Sequence, residues 1–138
     1  MAKKRLLFVC IGNACRSIMA EALARHHRSD VFEAESAGMH PLGSIPAMTR
    51  AVLEEVGVST EGLHSKPIRD IELERVSLIV NLTQFSLKGL IPSRFMGRVG
   101  SRFVNDPYGG PIEEYRETRE TIQRLVMEDV DRMLTALS

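Results

Sequence analysis

The sequence predicts an α/β fold: one domain over residues 1–138, with a four-stranded parallel sheet and helices on both faces. Three observations carry that reading. Short apolar runs alternate with segments of helical periodicity, the pattern of strand and helix repeating around a parallel sheet. The first and third runs are continuously apolar instead of alternating, as expected of strands covered on both sides. No internal repeat, low-complexity tract or linker interrupts the chain, and 138 residues suffice to bury one core without metals or disulfides.

Residues 6–10 read as a buried strand, short and apolar, stopped by Gly12 and Asn13. Residues 17–27 follow as a helix, with Met19, Leu23 and the alanines at helical spacing. A second strand, 31–38, ends at Gly38. A helix is expected from Pro46, suited to a first turn, to Gly57, suited to the C-terminal end. Residues 70–76 form a short helical approach to a third buried strand, 77–82. Residues 85–92 read as a short helix closed by Pro92, and 101–106 as the fourth strand. The last element, 111–137, is long and carries Ile112, Tyr115, Ile122, Leu125, Val126, Met133 and Leu134 near one face.

Composition narrows the function classes. Hydrophobic residues make up 43% and charged residues 26%, which excludes a disordered chain. Lys plus Arg equals Asp plus Glu, 18 each, so no global field recruits nucleic acid or an anionic membrane, and any anion specificity must be local. The apolar run after the basic start is too short for a signal-peptide core, and no stretch approaches a membrane span. Two cysteines without an export signal suggest reduced thiols and a cytoplasmic protein.

Both cysteines lie in "VCIGNACRS", residues 9–17, with the spacing Cys-x5-Arg-Ser. A zinc site needs four ligands, and only His26 and His27 stand nearby. A thioredoxin-type pair has two residues between its cysteines, whereas four separate Cys10 from Cys15. An oxyanion cradle fits better. A loop running from a strand into a helix offers backbone N–H groups and a partial positive charge. Gly12 and Asn13 tolerate the positive φ that turns successive amides inward. Arg16 can present a fork of donors to two phosphoryl oxygens. The same field favours the thiolate of Cys10, the reactive form of cysteine, and Ser17 can donate its hydroxyl to that sulfur.

These residues resemble the low-molecular-weight protein tyrosine phosphatases and their relatives, the protein arginine phosphatases and thioredoxin-type arsenate reductases. The resemblance spans nearly the whole chain and is strongest in "VCIGNACRS" and in "NDPYGG", residues 105–110, with support from "ESAG" and "LHSKPI". It implies a Rossmann-like sheet and a phosphocysteine mechanism without cofactor or metal. Cys10 is then the nucleophile and Arg16 the phosphate binder. Asp106, held by Pro107, protonates the leaving atom and later activates water. Ile11, Gly12, Asn13, Ala14, Cys15, Ser17 and Tyr108 line the phosphate and substrate site. Asn13 holds the strained loop, with Ser36 and His64 hydrogen-bonded around it, and Met39, His40 and Pro41 form a rim. Ile18 stands where the family usually has proline.

The resemblance also implies a reversible Cys10–Cys15 disulfide. A third cysteine around the third strand, which related arsenate reductases use to pass oxidation on, is absent from the sequence. The residue before the second cysteine helps to set substrate choice in the family, bulky and aliphatic in tyrosine enzymes and threonine in arginine enzymes. Here it is Ala14. The expected activity is phosphotyrosine protein phosphatase, with phosphoarginine as the alternative; a small-thiol-linked arsenate reductase and a non-catalytic phosphate-binding module are further alternatives. The expected partner is a phosphorylated protein, with neither nucleic acid nor membrane, and a monomer is expected.

Overall fold

A computed structural model describes residues 2–137. Four parallel strands, β1 (Lys4–Cys10), β2 (Phe32–Gly38), β3 (Leu78–Asn81) and β4 (Val99–Ser101), lie in the order β2-β1-β3-β4. After β1 the chain crosses to β2 on one side, then returns to β3 on the other. The carboxyl ends of β1 and β3 therefore flank the point where strand order reverses, which is where open α/β sheets place their ligands.

Alternation along β1 divides the core. Leu6 and Phe8, with Leu78 and Val80, face the helices α1 (Arg16–His27), α2 (Ala47–Glu54), α3 (Ile112–Arg124) and α4 (Val130–Leu137). Leu7 and Val9, with Ile79, face the other way, onto Ile68, Leu73, Leu87, Ile91 and Phe95. That second layer consists of 3-10 turns (Ile68–Asp70, Leu73–Arg75 and Ser93–Arg98) and not of long helices. All four β1 side chains are fully buried, each contributing roughly 1.5–3 kcal/mol by leaving water.

Three sequence expectations change. Residues 85–92 are not a helix: Gly89 sits at φ +85 in a turn between Lys88 and Ile91. The side chains of Asn81 and Thr83 also bind Phe85's backbone, competing with a helical start. Pro92 opens the 3-10 turn after it instead of closing a helix. The fourth strand is Val99–Ser101, ahead of its expected place. Beyond it the chain still runs extended, with Arg102 N–H donating to Asn81 O and Val104 N–H to Leu82 O, so Asp106 is carried past the sheet end. Lastly, the long final element is broken by a π turn, Leu125–Asp129, between α3 and α4. Arg28 Nη1 donates to the carbonyls of Val126 (3.0 Å) and Met127 (3.3 Å) in that turn, satisfying groups a regular helix would have paired. No helix among the described residues is long and apolar enough to cross a membrane.

Candidate active site

The loop between β1 and α1 is shaped by where its carbonyls go. Cys10 O accepts from Met39 N–H, Ile11 O from His40 N–H, and Gly12 O from Leu42 N–H and Ser65 Oγ. Ala14 O accepts from Thr49 Oγ1 at 3.0 Å. Among the described residues, no protein group takes the backbone N–H of Gly12, Asn13, Ala14 or Cys15. Carbonyls turned outward and spent, with amides left over, constitute an anion nest at a helix start.

Asn13 enforces this shape. It is fully buried at φ 46, the only positive φ outside glycine among the described residues, and such a conformation persists only where its surroundings over-determine it. Its Oδ1 accepts from Lys66 N–H at 2.9 Å. A backbone N–H can only donate, so the amide orientation is settled, and Nδ2 donates to Ser17 Oγ (2.7 Å) and Ser36 Oγ (2.9 Å). Gly38 completes the support. A Cβ there would lie 2.8 Å from Ile11 O and 2.9 Å from Asn13 N, so only glycine lets β2 pass so close to the loop.

The reactive groups converge inside. Cys10 Sγ, buried at the end of β1, lies 2.9 Å from Ser17 Oγ. Ser17 already accepts from Asn13, leaving its proton for the sulfur, and a thiolate can only accept it. Arg16 is 2% exposed. Its Nη1 donates to Val104 O (2.9 Å) and Leu82 O (3.3 Å), and its Nη2 stands 3.5 Å from Asp106 Oδ2. Arg16 Nε is the one buried side-chain nitrogen or oxygen among the described residues without a hydrogen-bond partner. An orphaned buried guanidinium N–H is costly, about 1–3 kcal/mol, and an oxyanion over the loop amides would satisfy it.

Asp106 is half exposed at the mouth, its Oδ1 accepting from Tyr108 N–H at 3.1 Å. Pro107 restricts the backbone between them and begins a turn in which Gly110 N–H donates to Pro107 O. The cleft, about 210 Å³, is lined by Cys10, Ile11, Gly12, Ala14, Cys15, His40, Leu42, Asp106 and Tyr108. Its walls are mostly apolar, with the donors at its floor. Cys15 Sγ lies 4.0 Å from Tyr115 Oη. Burial pushes its thiol up to about 11, and burial followed by the neighbouring Cys15 pushes the Tyr115 hydroxyl up to about 12.

The structure thus brings together the loop residues, Ser36, Asp106, Pro107 and Tyr108. His64 stands apart. It is exposed, and its Nδ1 lies 3.2 Å from Gly62 O, so the expected bond around Asn13 is absent. Lys66 N–H and Ser65 Oγ hold the loop from that segment instead. Of the expected rim, His40 reaches the cleft while Met39 and Pro41 do not; Leu42 lines it and was not foreseen. Thr49 and Leu42 carried no motif signal, and Gly38 appeared only as the end of "ESAG"; their roles depend on which backbone passes beside the loop. Among the described residues no group of three or more His, Cys, Asp or Glu converges as a metal site.

Residues 5–135 match the low molecular weight phosphotyrosine protein phosphatase family. A protein-arginine-phosphatase of Geobacillus stearothermophilus is 31% identical over 146 aligned positions, covering 95% of this chain and 97% of that protein. An arsenate reductase of Staphylococcus aureus is 30% identical over 129, covering 89% and 93%. In structure, a low molecular weight protein tyrosine phosphatase from T. tengcongensis superposes with a TM-score of 0.83 at 27% identity, over 94% of this chain and 99% of that one. Matched along almost its whole length in sequence and in fold, the chain belongs to the low molecular weight phosphotyrosine protein phosphatase family.

Proposed function

We propose that this protein hydrolyses phosphotyrosine in proteins through a phosphocysteine intermediate. The observation that carries the reading is the loop itself: it combines unspent amides and an unpaired buried Arg16 Nε with a cleft lined by Cys10 and Asp106. The phosphoryl group sits on the amides and Arg16, and the Cys10 thiolate attacks phosphorus. As the S–P bond forms and the P–O bond breaks, the carboxyl of Asp106 gives its proton to the leaving phenolic oxygen. Asp106 then takes a proton from water as the water oxygen attacks phosphorus. The P–S bond breaks, and Ser17 donates to the released thiolate. Each step uses groups of this chain, and neither metal nor cofactor is required by it.

The apolar walls favour an aryl ester. Ile11, Ala14, Leu42 and Tyr108 offer hydrocarbon and a ring face to a phenyl group, and Ala14 has no hydroxyl to orient a guanidinium. The phosphoarginine alternative draws support from the Geobacillus relative named a protein-arginine-phosphatase. A relay of oxidation through a third cysteine is not available to a chain with two. A binding module would need neither the thiol nor Asp106. The acting form is a cytoplasmic monomer.

The test is a parallel assay of phosphotyrosine and phosphoarginine peptides with wild type and Ala14→Thr. The proposal expects wild type to favour phosphotyrosine by at least about tenfold in kcat/KM, and Ala14→Thr to shift preference toward phosphoarginine. A wild-type preference for phosphoarginine overturns the tyrosine reading, and no turnover of either overturns the phosphatase.

A further inference from the structure

Glu21, on α1, is a carboxylate with 2% exposure that the proposed chemistry does not use. Three groups surround it. Ser36 Oγ donates to its Oε1 at 2.5 Å, Arg25 Nη2 lies 2.5 Å from Oε2, and Lys66 Nζ lies 3.8 Å from Oε1. Lys66 also gives its backbone N–H to Asn13 Oδ1, so one residue touches both Glu21 and Asn13.

Proton direction can be followed outward from this carboxylate. An ionised carboxylate only accepts, so Ser36 directs its proton to Glu21 and keeps its lone pairs for Asn13 Nδ2. The second Nδ2 proton goes to Ser17 Oγ, whose own proton is then left for Cys10 Sγ. We propose that Glu21 is a positioning residue for Cys10: by taking the Ser36 proton it keeps Ser36 an acceptor for Asn13 Nδ2 and so, together with Lys66 N–H on Asn13 Oδ1, holds in place the amide whose other Nδ2 proton leaves the Ser17 hydroxyl proton for the sulfur. Without an acceptor at position 21, the Ser36 proton loses its partner and the hydroxyl is no longer held with its lone pairs toward Asn13 Nδ2. The proposal rests on Cys10 being the nucleophile, but its test does not need turnover.

The experiment measures alkylation of Cys10 by iodoacetamide, a neutral reagent, with peptide mass mapping to separate Cys10 from Cys15. The readout is the ratio of rate constants at about pH 6 and about pH 9, which follows the thiolate population. Asp106, His40, Cys15 and Tyr108, the titratable groups that line the cleft with Cys10, and Arg16, 3.5 Å from Asp106, are unaltered in every variant. Glu21→Leu is expected to lower the ratio about tenfold, and Glu21→Gln, which keeps an acceptor, to leave it within about twofold or raise it. A carboxylate acting through its charge alone gives the opposite sign, since its removal relieves repulsion of the sulfur anion and raises the ratio in both variants. An unchanged or raised ratio in Glu21→Leu overturns the proposal.

Ser36→Ala removes the link and is expected to reproduce the tenfold loss, with no further effect of Glu21→Leu in that background; a persisting effect overturns the route. If Glu21→Leu does not fold, Ser36→Ala alone decides, and a wild-type ratio there overturns the proposal. A protein that shows the expected ratios yet hydrolyses no phosphotyrosine refutes the proposed function and leaves this positioning role standing.

Discussion

The two cysteines of the loop occupy opposite environments only five residues apart. Cys10 lies against Ser17 Oγ, with the fully hydrogen-bonded Asn13 amide behind it and Asp106 in the same cleft. Cys15 lies against Thr49 and Tyr115 at the core side, where burial holds its thiol protonated up to about 11. The same side chain meets a hydroxyl donor on one flank and is kept neutral by burial on the other. What differs is the donors each neighbour can direct at the sulfur, which follows from the path of β2, α2 and α3 around the loop.

The sharpest break of this comparison is substitution by serine. Cys10→Ser is expected to lower kcat for p-nitrophenyl phosphate by more than about a thousandfold while phosphate still protects or binds, and Cys15→Ser by less than about tenfold. Comparable activity in Cys10→Ser would remove that sulfur from the chemistry. Asp106→Asn comes next. It is expected to slow poor leaving groups about a hundredfold or more and activated aryl esters by much less, and equal losses on both would argue against proton donation.

Oxidation brings the two environments together. Peroxide converts the Cys10 thiolate to a sulfenic acid with release of hydroxide, and its condensation with the Cys15 thiol releases water and forms a disulfide that dithiothreitol reverses. Cys15→Ser is expected to recover about tenfold less activity; equal recovery dismisses the pairing. The smallest effect concerns stability. A thiol at about 11 when folded, against 9.0 for the ordinary group, favours the folded state below pH 9.0. That contribution is lost as pH rises toward about 11, because the unfolded chain ionises first. Urea midpoints from pH 8 to about 11 should fall less steeply in Cys15→Ser than in wild type.

Much of the architecture was legible as pattern. A continuous apolar run such as residues 6–10 can satisfy its surroundings only inside a parallel sheet, so four strands and their alternation with helices followed. The elements that went astray lacked such a constraint. Residues 85–92 have helical spacing, but Asn81 and Thr83 capture Phe85's backbone from outside the segment. The fourth strand is short, and its β character was read into the extended continuation that carries Asp106.

The amino-acid order by itself determined the fold class and the set of reactive groups, because apolar periodicity and the Cys-x5-Arg-Ser spacing are local properties of the chain. Only the tertiary structure decided which groups orient them. Lys66 and Ser65 serve where His64 was expected, Gly38 admits the loop, Leu42 forms the wall and Glu21 ends the hydrogen-bond chain. The reason is physical: the direction of a hydrogen bond and the closeness of two backbones are set between segments far apart in sequence, and no local pattern encodes them.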